Sequence, residues 1–191
     1  MPITFAPQSP ERAELLGQIK AKAVVHGRVV LSSGREADFY IDLRRVALDG
    51  AAAPLVGRVM LELVRGLDFD AVGGLTLGAD PVAGAMMHAA AAHPELVAGR
   101  KLDAFVVRKS EKAHGMQRRI EGPDIAGRRV LIVEDTSTTG NSPLTAVEAV
   151  RAAGAEVAAV AVIVERGAQQ AIEAAALPYY AAYSLSDLGL A

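Results

Sequence analysis

Eight consecutive apolar residues, Val157–Val164, constrain this chain more than any other feature. A strand with one wet face alternates apolar and polar side chains. An unbroken apolar run of this length, bounded by polar residues, reads as a strand buried on both faces. Ala71–Leu75, Asp103–Val107, Arg129–Val133 and Tyr179–Leu185 read as further strands. Helical spacing lies between them, at Ala51–Arg65 (Leu55, Val59 and Leu63 on one face), from Pro81 to about Ala92, from Pro143 to Ala153 and at Ala168–Ala176. From residue 51 onward, strand and helix therefore alternate. That order predicts an α/β fold, a mostly parallel twisted sheet flanked by helices. Ligands of such sheets sit beyond the carboxyl ends of the strands. The segments after Leu75, Val107, Val133 and Val164 are accordingly expected to line one crevice.

The first 45 residues follow a different pattern. Those before Glu11 read as a loose arm. Ser9-Pro10 is a helix-start signal, and Glu11–Val25 has helical spacing that Gly27 is expected to end. Val29–Leu31 and Phe39–Leu43 predict a small hairpin around Ser32-Ser33-Gly34, outside the main sheet. Helix and hairpin together are expected to cap the crevice as a hood.

At 191 residues the chain is expected to form one domain. No cysteine is present, which excludes disulfides, thiolate catalysis and cysteine zinc sites. The net charge is −2, so any anion site has to be built locally. Met1–Pro10 lacks the pattern of a signal peptide, and the Ala-rich run Ala83–Ala92 is too short to span a bilayer. These features predict a cytoplasmic protein without a membrane partner. His26, His88 and His93 have no ligand spacing and are assigned no role.

Two segments carry chemistry. In Val130-Leu-Ile-Val-Glu134-Asp135-Thr136-Ser137-Thr138-Thr139-Gly140-Asn141-Ser142, an apolar strand delivers two acids, then small hydroxyl residues and a glycine, then a helix. Small residues let main-chain N–H groups converge, and a helix N-terminus adds unpaired N–H groups and a positive dipole end. The product is a phosphate cradle without lysine. Glu134 and Asp135 suit sugar hydroxyls and a nearby Mg2+ held mainly through substrate oxygens and water. Simple helix capping by the hydroxyl run would not account for the two acids or for the length of the pattern. The second segment, Arg108 to Arg119, holds five Lys/Arg and one Glu, a local charge of +4. It has no apolar period and contains Gly115, which suggests a loop able to close over a polyanionic leaving group such as pyrophosphate. Cations placed there favour the transition state, where charge accumulates on that group. The loop has no interleaved aromatics, which argues against a nucleic-acid partner.

The first segment resembles the signature for phosphoribosyl pyrophosphate (PRPP) of type I phosphoribosyltransferases. The second, Arg108-Lys109-x-x-Lys112-x-His114-Gly115, resembles the catalytic loop of the orotate phosphoribosyltransferases in particular. Ser33-Gly34 with Phe39-Tyr40 resembles that family's hood, and Glu165-Arg166-Gly167 its orotate-carboxylate site. The resemblance spans about Glu11 to Leu185. It implies a type I phosphoribosyltransferase fold with an arm, helix and hood hairpin over 1–45 and a PRPP-binding core over 46–191, as one structural unit. It implies transfer of phosphoribose from PRPP to orotate, with Mg2+, by a homodimer with shared active sites. Arg108, Lys109, Lys112 and His114 would meet PRPP, as would Glu134, Asp135 and Thr136–Ser142. Lys112, Arg108, His114 and Asp135 would be catalytic. Thr138, Arg166 and the backbone of Tyr40 and Ile41 would hold orotate. The chain departs from the family pattern in two places. Ser32 stands where many members carry lysine. The loop Thr76-Leu77-Gly78-Ala79-Asp80 also lacks the usual lysine, and is expected to meet pyrophosphate through its backbone.

Overall fold

The computed structural model describes residues 3–30, 36–110 and 119–190. In chain order the elements are β1 (Thr4–Phe5), α1 (Pro10–Lys22), β2 (Val24–Val30), β3 (Glu36–Ile41), α2 (Arg44–Ala47), α3 (Ala53–Leu63), β4 (Ala71–Leu75) and α4 (Ala79–Ala92). There follow β5 (Asp103–Val107), β6 (Ile120–Glu121), β7 (Arg129–Ser137), α5 (Asn141–Ala152), β8 (Glu156–Glu165), α6 (Gln169–Ala174), β9 (Tyr179–Tyr183) and α7 (Leu185–Leu188). Seven strands form one sheet in the order β1-β9-β8-β7-β4-β5-β6, parallel except for the β5/β6 pair.

The apolar runs are explained by burial on both faces. In β7, Leu131 and Val133 join one core with α3 and α4, while Val130 and Ile132 join another with α5 and α6. Alternate residues thus enter opposite cores, and neither face tolerates a polar side chain. The first core also takes Leu15 and Ile19 of α1 and Ile41 of β3. The hairpin of β2 and β3 is therefore packed onto the same apolar mass as the sheet, although it pairs only with itself.

Several boundaries differ from expectation. The N-terminal segment is not a loose arm. Thr4 and Phe5 pair in parallel with Tyr180 and Ala181, and the Ala6 N–H continues the ladder to Ala181 O at 3.1 Å. α1 is capped by Ser9, whose hydroxyl accepts from Arg12 N–H at 3.1 Å, but it ends at Lys22. The β-branched Val24 and Val25 instead enter β2, opposite Ile41 and Tyr40, and the strand bulges between His26 and Val29, where a helix stop was expected. Leu31 and the turn Ser32–Gly34 lie outside the described residues. α4 begins at Ala79, since a proline is tolerated within a first turn. The last strand stops at Tyr183, and Ser184 caps α7 through a reciprocal pair with Asp187.

The largest difference is at β7. Its ladder with β8 does not stop at Val133 but continues through Thr136↔Val164 and Ser137↔Glu165. The two acids and two of the hydroxyl residues are therefore strand residues, held by main-chain pairing.

Candidate active site

The sheet changes winding direction between β4 and β7. From β4 the chain winds toward β5, and from β7 toward β8 and β9. A crevice opens at such a switch point, beyond the carboxyl ends of the two strands. The turn after β4 and the acid pair of β7 meet there. A Cβ added to Gly78 would lie 2.4 Å from Glu134 Oε1 and 2.8 Å from Asp135 Oδ1, so only glycine lets this turn rest on the carboxylates. Thr76 ties the turn down: its N–H donates to Val107 O at 2.8 Å and its hydroxyl to Asp80 Oδ2 at 2.7 Å. The Thr76–Leu77 peptide is cis.

Glu134 is only 5% exposed. Its Oε1 accepts from Asp135 N–H at 3.2 Å, and Asp135 Oδ1 accepts from Thr136 N–H at 2.6 Å. Burial, and next the neighbouring Asp135 charge, push Glu134 up to about 8. Burial also raises Asp135 above the usual carboxylate range. The pair is built to keep a proton at rest and to ionise when a cation arrives. On the hood side, Arg44 Nε donates to Asp42 Oδ1 at 2.8 Å, and Asp42 raises the guanidinium further, with a smaller contribution from Asp135.

Beyond Ser137 the chain leaves the sheet. Thr138, Thr139 and Asn141 are exposed, and Ser142 is half-buried. Gly140 takes φ +79° at the N-cap of α5, a left-handed turn that leads the hydroxyl run into the helix. Asn141 N–H donates to Thr139 Oγ1 at 3.4 Å. Arg166 follows β8 beside this loop. Its N–H donates to Ser137 O at 3.0 Å, and its guanidinium carbon lies 6.0 Å from the centroid of the Phe39 ring. The acids, the helix-entry loop, the guanidinium and the hood are thus brought together.

The basic loop springs from the same rim. Val106 and Val107 pair with Glu121 and Ile120, and Arg108 N–H donates to Arg119 O at 2.8 Å, so both ends are pinned. Arg108 Nη1 lies 3.3 Å from Glu121 Oε1, and Lys109 is exposed. Lys112 and His114 lie outside the described residues. Tyr40 is half-buried, and Ile41 turns its side chain into the core at 2% exposure.

Among the described residues, four buried side-chain atoms have no hydrogen-bond partner: Asp80 Oδ1, Thr136 Oγ1, Arg166 Nε and Arg119 Nε. The first three belong to the crevice. Unpaired buried polar groups are costly and rare, so their gathering marks a site made for a polar ligand.

Four contributors had no side-chain role assigned from sequence, although Phe39 stood in the hood segment and Gly78 and Asp80 in the turn expected to meet pyrophosphate. Phe39 lies on the inward face of β3, two residues from Ile41, so strand alternation was the available signal. Gly78 and Asp80 face the acids because α4 begins earlier than Pro81. Arg44 had no signal beyond its place just after the hood.

The fold is that of a phosphoribosyl-transferring enzyme: residues 51–175, more than half the chain, match the phosphoribosyl transferase domain family. The chain belongs to that family, and within it to the orotate phosphoribosyltransferases. It is 70% identical to orotate phosphoribosyltransferase of Streptomyces avermitilis over 94% of this chain and 97% of the relative. The Mycobacterium tuberculosis orotate phosphoribosyltransferase in complex with Fe(III) dicitrate superimposes with TM-score 0.84 at 59% identity, over 95% of this chain and all of that one. The same enzyme in complex with PRPP gives TM-score 0.80 at 52% identity, over the same shares. Among the described residues, no helix is long and apolar enough to cross a membrane.

Proposed function

We propose that the chain transfers the phosphoribosyl group of PRPP to orotate, giving orotidine 5′-monophosphate and pyrophosphate, a step of UMP synthesis in the cytoplasm. The observation that carries this reading is the meeting, at one switch-point crevice, of a buried acid pair, a helix-entry hydroxyl loop and an under-partnered Arg166 beneath the hood. Each feature suits one part of the two substrates.

The main-chain N–H groups from Thr136 to Ser142 receive the 5-phosphate, aided by the N-terminus of α5. Glu134 and Asp135 accept from the ribose hydroxyls. Their free oxygens also suit Mg2+, whose charge would relieve the repulsion within the pair. Two carboxylates are an incomplete ligand set for this ion, so substrate oxygens and water would supply the remainder. Arg166 grips the orotate carboxylate in two-pronged fashion, with Thr138 on the other side and the backbone of Tyr40 and Ile41 on the base. N1 of orotate, its proton released to water, attacks C1 of the ribose as the bond to pyrophosphate breaks, and the pyrophosphate leaves from the opposite face. Arg108, Lys109, Lys112 and His114 surround the leaving group, in a homodimer where the loop of one subunit serves the crevice of the other. Loop closure also keeps water from the oxocarbenium-like ribose.

The test is the loss of orotate absorbance on adding PRPP and Mg2+, with uracil, adenine and hypoxanthine as competing acceptors. Turnover of orotate alone is expected; preference for another base would overturn the assignment. Lys112→Ala should lower kcat by roughly a hundredfold or more while barely moving orotate KM, as for a contact made only in the transition state. An unchanged kcat would remove Lys112 from the chemistry.

A further inference from the structure

We propose that Glu165 and Tyr179 are positioning residues that hold Arg166 ready for a carboxylate; the inference rests on the reading of Arg166 given above. The main-chain ladders run out at this point. β8 pairs with β7 as far as Ser137↔Glu165 and with β9 as far as Val164↔Tyr183. Arg166 N–H still reaches Ser137 O, at 3.0 Å, but its residue already lies past the sheet.

The Glu165 carboxylate takes over where the ladder stops. One oxygen, Oε1, accepts from Gly167 N–H at 2.6 Å and from Gln169 N–H at 3.4 Å, which folds residues 166–168 into the start of α6 around a single atom. The other, Oε2, accepts from the Tyr179 hydroxyl. Tyr179 is 1% exposed in the core shared by β7, β8, α5 and α6, so this anchor does not move with the loop.

The arrangement also bears on charge. An acid next to an arginine in sequence could neutralise it and block an anionic ligand. Here the Glu165 oxygens accept from three donors, Oε1 from two and Oε2 from one, and none of the three is Arg166. Arg166 instead stands over Phe39 with its Nε buried and unpartnered. Charge-assisted bonds to a fixed carboxylate are stronger than neutral ones, so the clamp is stiff as well as correctly aimed. Its role is to keep a guanidinium both oriented and unquenched.

A double-mutant cycle tests this, read as kcat/KM for orotate at saturating PRPP, with PRPP KM and thermal midpoint measured alongside. Glu165→Gln should lower orotate kcat/KM about tenfold, the scale of one positioned charge-assisted bond. PRPP KM should stay within about twofold. In an Arg166→Ala background the same substitution should add nothing, because the group it positions is gone. A full additive effect in that background, an equal rise in PRPP KM, or no effect of Glu165→Gln at all would each overturn the clamp. If Arg166→Ala itself leaves orotate kcat/KM unchanged, the reading of Arg166 fails, and the clamp falls with it. Should Glu165→Gln not fold, Tyr179→Phe removes one hydroxyl and runs the same cycle, with a several-fold effect expected.

Discussion

Arg12 and Arg166 are two guanidiniums that the fold treats in opposite ways. Arg12, 5% exposed, is fully engaged. Its Nε donates to Ala182 O at 3.1 Å and its Nη1 to Gln8 Oε1 at 3.1 Å, and Nη2 lies 3.3 Å from Asp187 Oδ1. Its guanidinium carbon stands 4.7 Å over the Tyr183 ring, whose hydroxyl donates to Arg12 O at 2.7 Å. It locks α1 to the last strand and to α7. Arg166 keeps a buried Nε without a partner, with its guanidinium carbon 6.0 Å from the Phe39 ring centroid. A saturated network spends its interactions on the folded state. An unsaturated one holds them for a ligand. The same residue type thus serves stability in one network and recognition in another.

The sharpest way to break this contrast is Arg12→Ala. It should destabilise the protein by about 3 kcal/mol, as expected when one partner of a buried ion pair is removed. That corresponds to roughly 10 °C in thermal midpoint. Turnover per folded molecule should be unchanged at a temperature where the variant is folded. Asp135→Asn should do the reverse. Removal of a buried carboxylate's desolvation cost should leave the midpoint at or above that of the parent, while kcat/KM for PRPP falls about a hundredfold through loss of a charged contact to the reacting sugar. If Asp135→Asn melted as early as Arg12→Ala, the acid pair would be a structural feature and the division would be false.

How much of this was legible in the sequence depended on period and length. Val157–Val164 declared a doubly covered strand because eight apolar residues between Glu156 and Glu165 have a strand's length and are too few for a buried helix. The acids and the hydroxyl run were visible as a pattern. Their place within β7 was not, because the ladder to Val164 and Glu165 is a tertiary fact. β1 and β6 have two residues each, too few to show alternation, and exist only because a neighbouring strand edge accepts them. Arg166 stood out in sequence, but the carboxylate beside it did not. A Glu at a strand end reads as solvated until Tyr179 and two backbone N–H groups are brought to it.

Smaller perturbations sharpen the picture of the crevice itself. Gly78→Ala would drive a methyl toward the ends of Glu134 and Asp135, which can yield because they are side-chain tips. The fold should survive, and PRPP KM should rise about tenfold as the pair is displaced from the ribose hydroxyls. An unchanged PRPP KM would separate this turn from donor binding.

The finest effect concerns protons. Glu134 sits near 8 in the free protein, against an ordinary value of 4.5. A carboxyl raised on folding binds its proton more tightly in the folded state. Its contribution to stability is fully present below the ordinary value and is lost as pH rises through about 8. The thermal midpoint of the free protein should therefore fall between roughly pH 4.5 and 8 and level off above, and Glu134→Gln should flatten that decline. Other groups titrate in this window, so the difference between the two curves is the quantity to measure. Adding PRPP with Mg2+ should reverse the sign at the pair, because a bound cation favours the ionised acids, and proton release should accompany binding at neutral pH. Identical pH slopes for parent and Glu134→Gln would mean that the acid pair is already ionised at rest. The crevice would then resemble the Arg12 network more closely than its unpaired atoms suggest.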